Sequence, residues 1–337
     1  MWRLLLALVA VAACEVGDVD GTGGFDAAVG EDARVAEDPL VVEMRAVAAA
    51  SLPFLAAQGS AWIAERGCTS CHAVPVMVWA HALARRRGVA VDESQLAEWT
   101  QWAVAETAAS RNEEGQATNL DGAYQLILAR EADVDGVLSP MYEGLADAIV
   151  GGQAADGSWL PGGQLPAQRR PAIEINVSST MTALLTLRSM GRSGDAIDRG
   201  VASLATWKAS TDPIQSTEAL LLRMLVEREL GDDAEFRAQL SALLARQQPD
   251  GGWSWLAGES SDAFATGEVL WALAAIGHAD ETPVRAAWMY LRDSQAGDGS
   301  WIVPSTKTGV DGPQPASIQW GTGWGTIGLL RTLPPTP

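Results

Sequence analysis

Positive charge is scarce in this sequence. It contains 23 Lys and Arg residues against 42 Asp and Glu residues, which gives a formal net charge of −19. A protein that binds a phosphate backbone needs a basic face to displace counterions, and a chain this acidic would be repelled. We therefore exclude nucleic acid as a partner.

Cysteine is also scarce, with 3 residues in a chain of 337. Cys14 follows a short apolar run that begins after Met1-Trp2-Arg3, an arrangement typical of an export signal and too short to span a bilayer. The string Val11-Ala12-Ala13-Cys14 resembles a bacterial lipobox, which implies lipidation at Cys14. The alternative is an ordinary secretory signal.

Both signal types predict an exported protein. Lipidation would anchor it to the cell envelope, on the periplasmic face or at the outer membrane, and Glu15 weakly favours the latter by resemblance. Residues 15–38 are rich in Gly, Ala and acids and predict a flexible acidic tether. We expect residues 39–337 to form a single domain, because 47% hydrophobic content can bury a full core.

No stretch alternates apolar and polar residues like a strand for any length, and a repeat is present instead. The pattern Gln-x-x-Asp-Gly-x-Trp begins at Gln153, Gln247 and Gln295, spacings of 94 and 48 residues. A unit of about 47 residues explains both spacings, with one degraded copy near Trp207. Asp-Gly predicts a tight turn with positive φ, the Gln can bond helix-end groups, and the Trp can cover the joint.

Each unit carries two helical apolar runs, and glycines at the ends of several runs predict helix termini. The expected class is all-α. The six expected hairpins are 42–66 with 76–87, 93–110 with 119–131, 138–153 with 177–190, 194–209 with 215–230, 233–247 with 262–276, and 282–295 with 318–332.

The repeated pattern resembles the QW motif of squalene-hopene and oxidosqualene cyclases over about residues 138–332. The resemblance implies an (α/α)6 toroid. Protein prenyltransferase β subunits resemble such a toroid too, but they hold zinc with a cysteine in the later repeats, and no cysteine follows Cys71 here. Fold does not carry function with it.

The Asp-x-Asp-Asp acid motif of class II terpene cyclases is missing, since Asp133-Val134-Asp135-Gly136 lacks its last acid. Conventional polycyclisation is therefore disfavoured. Glu218 and Glu268 are the candidate catalytic residues, because each falls inside an apolar helical run where a carboxyl group in a cavity can titrate abnormally. Trp271, Trp320 and Trp324 could line that cavity or simply be core.

The string Cys68-Thr69-Ser70-Cys71-His72 is typical of covalent haem c attachment. Two thiols would form thioethers and His72 would be the proximal ligand of the haem iron. A Cys68–Cys71 disulfide without cofactor is the first alternative. A zinc site that adds His81 is the second.

The favoured interpretation is a membrane-anchored haem toroid for electron transfer or redox sensing, with a redox partner protein. One alternative is a terpenoid-cyclase-like enzyme, or a binder of an apolar small molecule, acting in the toroid cavity. Another is a structural repeat protein with a Cys-x-x-Cys disulfide. Whether the chain is an enzyme stays open at this point.

Overall fold

The structure, a computed structural model, describes residues 37–70, 72–113, 117–130, 133, 135–163, 165–278 and 280–335. The predicted signal segment with Cys14, residues 15–36 of the predicted tether, and Cys71 lie outside the described residues. The predictions that concern them therefore remain predictions.

The described residues form helices joined by loops, with isolated β-bridges and a 3₁₀ turn at Leu165–Ala167. The helices are α1 (Pro39–Arg66), α2 (Val74–Arg86), α3 (Glu93–Ala109), α4 (Leu120–Leu128), α5 (Ser139–Gly151), α6 (Ala172–Ser189), α7 (Asp195–Ser203), α8 (Ala205–Lys208), α9 (Thr217–Leu230), α10 (Asp233–Leu244), α11 (Ala263–Ile276), α12 (Glu281–Ser294) and α13 (Pro315–Thr332).

The second helix of each hairpin belongs to an inner ring. Around this ring, α2 contacts α4, α4 contacts α6, α6 contacts α9, α9 contacts α11, and α11 contacts α13. The ring closes because α13 contacts α2. The outer positions are held by α1, α3, α5, the broken pair α7 and α8, α10 and α12. The predicted all-α (α/α)6 toroid and its six hairpins are confirmed.

Several helix boundaries differ from prediction by up to three residues, and the predicted helix 194–209 is divided into α7 and α8. The largest difference is at α6, which begins at Ala172 instead of 177. The carboxylate of Glu174, in its first turn, accepts hydrogen bonds from the backbone N–H groups of Gln215 (2.6 Å) and Ser216 (2.8 Å). This tie to the loop before α9 is a tertiary contact, so the periodicity of the segment does not contain it.

Inner helices are apolar on nearly every side because both faces are covered. In α2, every residue from Val74 to Ala84 is buried. Helices α11 and α13 approach most closely where glycine faces glycine, since a Cβ added at Gly267 or Gly328 would lie closer than 3.0 Å to backbone of the other helix.

The three Gln-x-x-Asp-Gly-x-Trp segments have the same structure, and we call each of them a staple because it fastens neighbouring helices. The segment that begins at Gln153 serves as the example. The indole N–H of Trp159 donates to the Ile149 carbonyl (2.6 Å), and the Gln153 amide donates to Gly157 O (2.8 Å) and Ala196 O (2.7 Å). Ala196 belongs to the next outer helix, so each staple joins one hairpin to the following one. The expected roles of Gln, Asp-Gly and Trp are confirmed.

The last staple closes the ring. The side-chain amide of Gln295 donates to Val47 O of α1 at 3.0 Å, and the indole N–H of Trp301 donates to Leu291 O at 2.8 Å. Gly299 has φ +83° and packs against the backbone of Ala50. The sixth hairpin is thereby fastened to the first.

Helix α1 is, among the described helices, the one long and apolar enough to cross a membrane by length and composition. It packs against α2 and α13 as the first outer helix of the toroid. Its composition is therefore also accounted for by its place in the fold.

Candidate functional site

The inner ring encloses a cavity of about 110 Å³. Four tryptophans line it: Trp79, Trp271, Trp320 and Trp324. Its polar lining includes Asp121, Tyr124, Arg170, Ser179, Glu218 and Glu268. Glu218 and Glu268, which the sequence singles out separately, are thus brought together.

The tryptophans meet edge to face. Ring centroids are 5.4 Å apart for Trp79 and Trp324, 5.8 Å for Trp271 and Trp324, and 6.1 Å for Trp320 and Trp324. The indole N–H groups of Trp79, Trp271 and Trp324 are buried without a hydrogen-bond partner among the described residues. Buried donors usually find a partner, so these point to a hydrogen-bond-accepting ligand.

Arg170 and Glu218 form a buried ion pair in the cavity wall. The Nη1 atom of Arg170 lies 2.6 Å from the Glu218 carboxylate, and the Arg170 side chain is 1% exposed. The same nitrogen donates to the Ser178 hydroxyl at 3.1 Å. The ion pair fixes the position of the Glu218 carboxylate in the cavity wall.

Glu268 is in a different state from its neighbour. It is 4% exposed, and its Oε2 atom is buried without a hydrogen-bond partner in the described part of the chain. Burial, reinforced by the negative charges of Glu218 and Asp262 against the opposing charge of Arg170, raises its pKa well above the usual range. Burial therefore favours the protonated, uncharged form of Glu268.

Asp121 is the third carboxyl group of the cavity. It lies in the first turn of α4, behind the N-cap Asn119, whose side chain accepts from the Gly122 N–H at 3.0 Å. Burial first, and the Glu218 charge second, raise the pKa of Asp121 to about 6. With a pKa of about 6, Asp121 is mostly ionised at pH 7.

Sequence reasoning missed part of the site. Trp79 sits in a run that reads simply as a buried helix, and Arg170 lies in the long loop between α5 and α6. No local pattern marks Arg170, because its partner Glu218 lies 48 positions further along the chain.

The predicted haem segment lies at the same end of the toroid as the cavity acids. Asn119, the N-cap of α4, donates through its side-chain amide to Thr69 Oγ1 at 2.8 Å. Cys68 is exposed. His72 is half-buried, its Nδ1 lies 2.7 Å from Ser70 Oγ, and its ring meets Trp62 edge to face at 4.9 Å.

Burial, aided by the charge of Lys307, lowers the pKa of His72 to about 4, so its imidazole is neutral. His81 lies further along α2, buried against Trp99, with Nδ1 2.8 Å from the Met77 carbonyl. Among the described residues no three His, Cys, Asp or Glu side chains form a group that could hold a metal ion. The described members of the zinc alternative are therefore not gathered around one point.

No family model matches the chain, and no curated protein matches it. Solved structures do. One is a glycosidase in complex with glucose (TM-score 0.54, 13% identity, 87% of this chain and 98% of that chain). A second is the type II terpene cyclase MstE from Scytonema in complex with geranylgeranyl dihydroxybenzoate (TM-score 0.55, 13% identity, 88% and 99%). A third is a polysaccharide lyase (TM-score 0.54, 11% identity, 87% and 97%).

These similarities show the fold alone. They support an α/α toroid shared with enzymes that differ in their chemistry.

Proposed function

We propose that the protein is an enzyme that uses Glu268 as a general acid. Its substrate places a ring-sized group among the cavity tryptophans, and the best-supported reaction is cleavage of a glycoside. The observation that carries this proposal is the unpaired Oε2 atom of Glu268, buried in a wall that keeps the carboxyl group protonated. An acid must hold its proton at the working pH to donate it, and burial is how proteins arrange this.

The two other carboxyl groups have separate roles. Glu268 donates its proton to the leaving-group oxygen, and the C–O bond breaks with its electron pair going to that oxygen. The oxygen of a water then bonds to the ring carbon, and Asp121 takes the proton that the water loses. The Glu218 carboxylate, fixed by Arg170, and the tryptophan faces stabilise the positive charge that develops on the ring.

Cavity size limits the ligand. A cavity of about 150 Å³ holds a benzene-sized molecule, and this one measures about 110 Å³, so a sugar ring bound here would fill the cavity and extend out of its mouth. The unpaired indole N–H donors suit the hydroxyl groups of a sugar. Two of the proteins with a similar fold are, by their names, a glycosidase in complex with glucose and a polysaccharide lyase.

The test is hydrolysis of paired glycosides with good and poor leaving groups, 4-nitrophenyl and methyl, by the parent chain and by Glu268→Gln. Loss of a general acid costs roughly 10²- to 10⁴-fold. The loss should be largest for the methyl glycosides, because nitrophenolate leaves without a proton. The matched control is Glu143→Gln, an exposed glutamate that pairs with Arg192. Equal losses on both leaving groups would contradict the role of Glu268.

A second candidate is protonation of an alkene, as in a terpenoid-cyclase-like enzyme. The four tryptophans favour it, because aromatic faces stabilise carbocations. The cavity volume and the unpaired donors count against a long hydrocarbon chain. Incubation with geranylgeraniol, followed by mass spectrometry of extracted products, checks it: a cyclised product that disappears in Glu268→Gln would replace the glycoside proposal.

We also propose covalent haem c at Cys68, Cys71 and His72, on the strength of the motif. The neutral imidazole of His72 has the protonation state that an iron ligand needs. A haem held there would add one-electron transfer to the protein. The arginines Arg85 to Arg87 could pair with haem propionates only if they were near the motif, but they lie at the C-terminal end of α2, whereas His72 precedes its N-terminus. A pyridine haemochrome spectrum, after co-expression with c-type maturation machinery, tests this cofactor.

Lipidation at Cys14 and attachment to the cell envelope remain a proposal as well. Intact mass of the purified chain distinguishes the two signal types, because a lipoprotein retains a diacylglyceryl group on Cys14. The same mass shows whether Cys68 and Cys71 carry haem, a disulfide or free thiols.

A further inference from the structure

A second pocket lies at the acid-bearing end of the toroid. Its volume is about 270 Å³, larger than that of the central cavity. The residues that argue for its role are Arg169, Trp255, Glu259, Phe264 and Thr306, all of which line it.

The two pockets are neighbours. Phe264 of the second pocket packs on Trp320 of the central cavity, with ring centroids 5.9 Å apart. Arg169 lines the second pocket and the next residue, Arg170, lines the cavity. These contacts place the two pockets next to each other.

Three loops build this second pocket: the loop before α11, which includes Trp255 and Glu259, the loop before α13, and the loop before α6, which contributes Arg169. The loop before α6 and the loop before α13 are joined by backbone hydrogen bonds from Arg169 N–H to Thr306 O (2.9 Å) and from Thr308 N–H to Ala167 O (2.8 Å). These hairpins are the third and the sixth of a ring of six, so the joined loops cross the mouth. A molecule in the cavity that is longer than one ring would extend under them.

The chemistry of the second pocket suits a neutral, hydroxylated unit. Trp255 is 2% exposed, and its indole N–H has no hydrogen-bond partner among the described residues. The guanidinium of Arg169 stacks on the Trp255 ring at 5.3 Å, and its charge is balanced by an ion pair with Glu259. The pocket thus offers a buried donor and the apolar ring of Phe264. The charge of Arg169 is balanced by Glu259, and the Asp262 carboxyl group, which also lines the pocket, accepts hydrogen bonds from the backbone N–H groups of Trp255 and Ala265.

We infer that the Trp255 pocket is a second binding site for the substrate, and that the substrate is at least two hydroxylated rings long, as in an oligosaccharide. This inference rests on the proposed function. One ring occupies the central cavity near Glu268, and the adjoining ring lies in the Trp255 pocket and accepts a hydrogen bond from its indole N–H.

The test is calorimetric titration of the Glu268→Gln variant of the mature chain, which does not consume its ligand. The probes are glucose, mannose, xylose and N-acetylglucosamine, each compared with its 1,4-linked disaccharide. At least one disaccharide should bind ten or more times as tightly as its monosaccharide. Adding Trp255→Phe, which keeps an aromatic ring but removes the donor, should weaken that disaccharide about 3- to 10-fold and leave the monosaccharide unchanged.

Trp207→Phe is the matched control, because Trp207 stacks with Arg223 in the outer layer and lines neither pocket. Equal affinity for mono- and disaccharides, equal weakening of both by Trp255→Phe, or no binding of any probe would overturn the second site. The proposed acid role fails separately, since that outcome is seen in the leaving-group comparison and not in these affinities.

Discussion

Replacing Gly299 with alanine should destabilise the joint that closes the toroid. Gly299 has φ +83°, a left-handed conformation that favours glycine, and an added Cβ would lie closer than 3.0 Å to the carbonyl group of Ala50. The backbones of Gly299 and Ala50 are both held in place. The side-chain amide of Gln295 donates to the carbonyl of Val47, one turn before Ala50 in α1, at 3.0 Å, and Gly299 belongs to the turn of the same staple. Neither side can move away without breaking the staple.

The magnitude follows from two terms. A left-handed conformation costs a non-glycine residue roughly 1–2 kcal/mol, and overpacking costs about 1–3 kcal/mol. The expected loss is therefore about 2–5 kcal/mol, a large part of the roughly 5–15 kcal/mol by which natural domains are stable.

Two other glycines separate these terms. Gly277, at the C-terminus of α11, has φ +63° but nothing within 4 Å of an added Cβ, so Gly277→Ala should cost the conformational term alone. Gly297 has nothing within 4 Å of an added Cβ and is not in the left-handed conformation. The substitution Gly297→Ala should therefore change the free energy of unfolding by less than about 0.5 kcal/mol.

Urea unfolding of the mature chain, followed by far-ultraviolet circular dichroism, measures all three variants. The reasoning requires the order Gly299→Ala, Gly277→Ala, Gly297→Ala, from most to least destabilised. If Gly299→Ala and Gly277→Ala were equal within 0.5 kcal/mol, contact with Ala50 would not be what makes the position a glycine.

Two further predictions concern the site and the motif. The hydrolysis rate should rise as pH increases through about 6, where Asp121 ionises, and fall at higher pH as Glu268 loses its proton; Asp121→Asn should remove the acidic limb and leave the basic one. A profile whose acidic limb survives that substitution would exclude Asp121 as the base. His72→Ala should abolish native haem coordination with little change in helical content, and unchanged absorption bands would exclude His72 as the iron ligand.

Most of the fold is predictable because its causes are local or periodic. Gln153, Gln247 and Gln295 start the same seven-residue pattern, and each pattern forms the same hydrogen bonds with its own turn. The residue that each staple glutamine contacts in the next hairpin is harder to predict from the sequence. Gln295 reaches Val47, 248 positions away, and only closure of the ring makes them neighbours.

The site is less predictable than the fold. Glu218 and Glu268 stand out in the sequence because each interrupts an apolar helical run. The difference between their environments does not stand out, since Arg170, which pairs with Glu218, reaches the cavity from a loop. Burial of Asp121 likewise depends on the whole inner ring.

By itself, then, the sequence determined an all-α repeat protein, the position of its turns and two acids that needed explanation, because periodicity and turn chemistry act over a few residues. Only the tertiary structure decided that four tryptophans, one arginine and three carboxyl groups in different environments line the same cavity. The physical reason is that ring closure brings together residues far apart in the chain, and desolvation inside the ring then decides which carboxyl group keeps its proton.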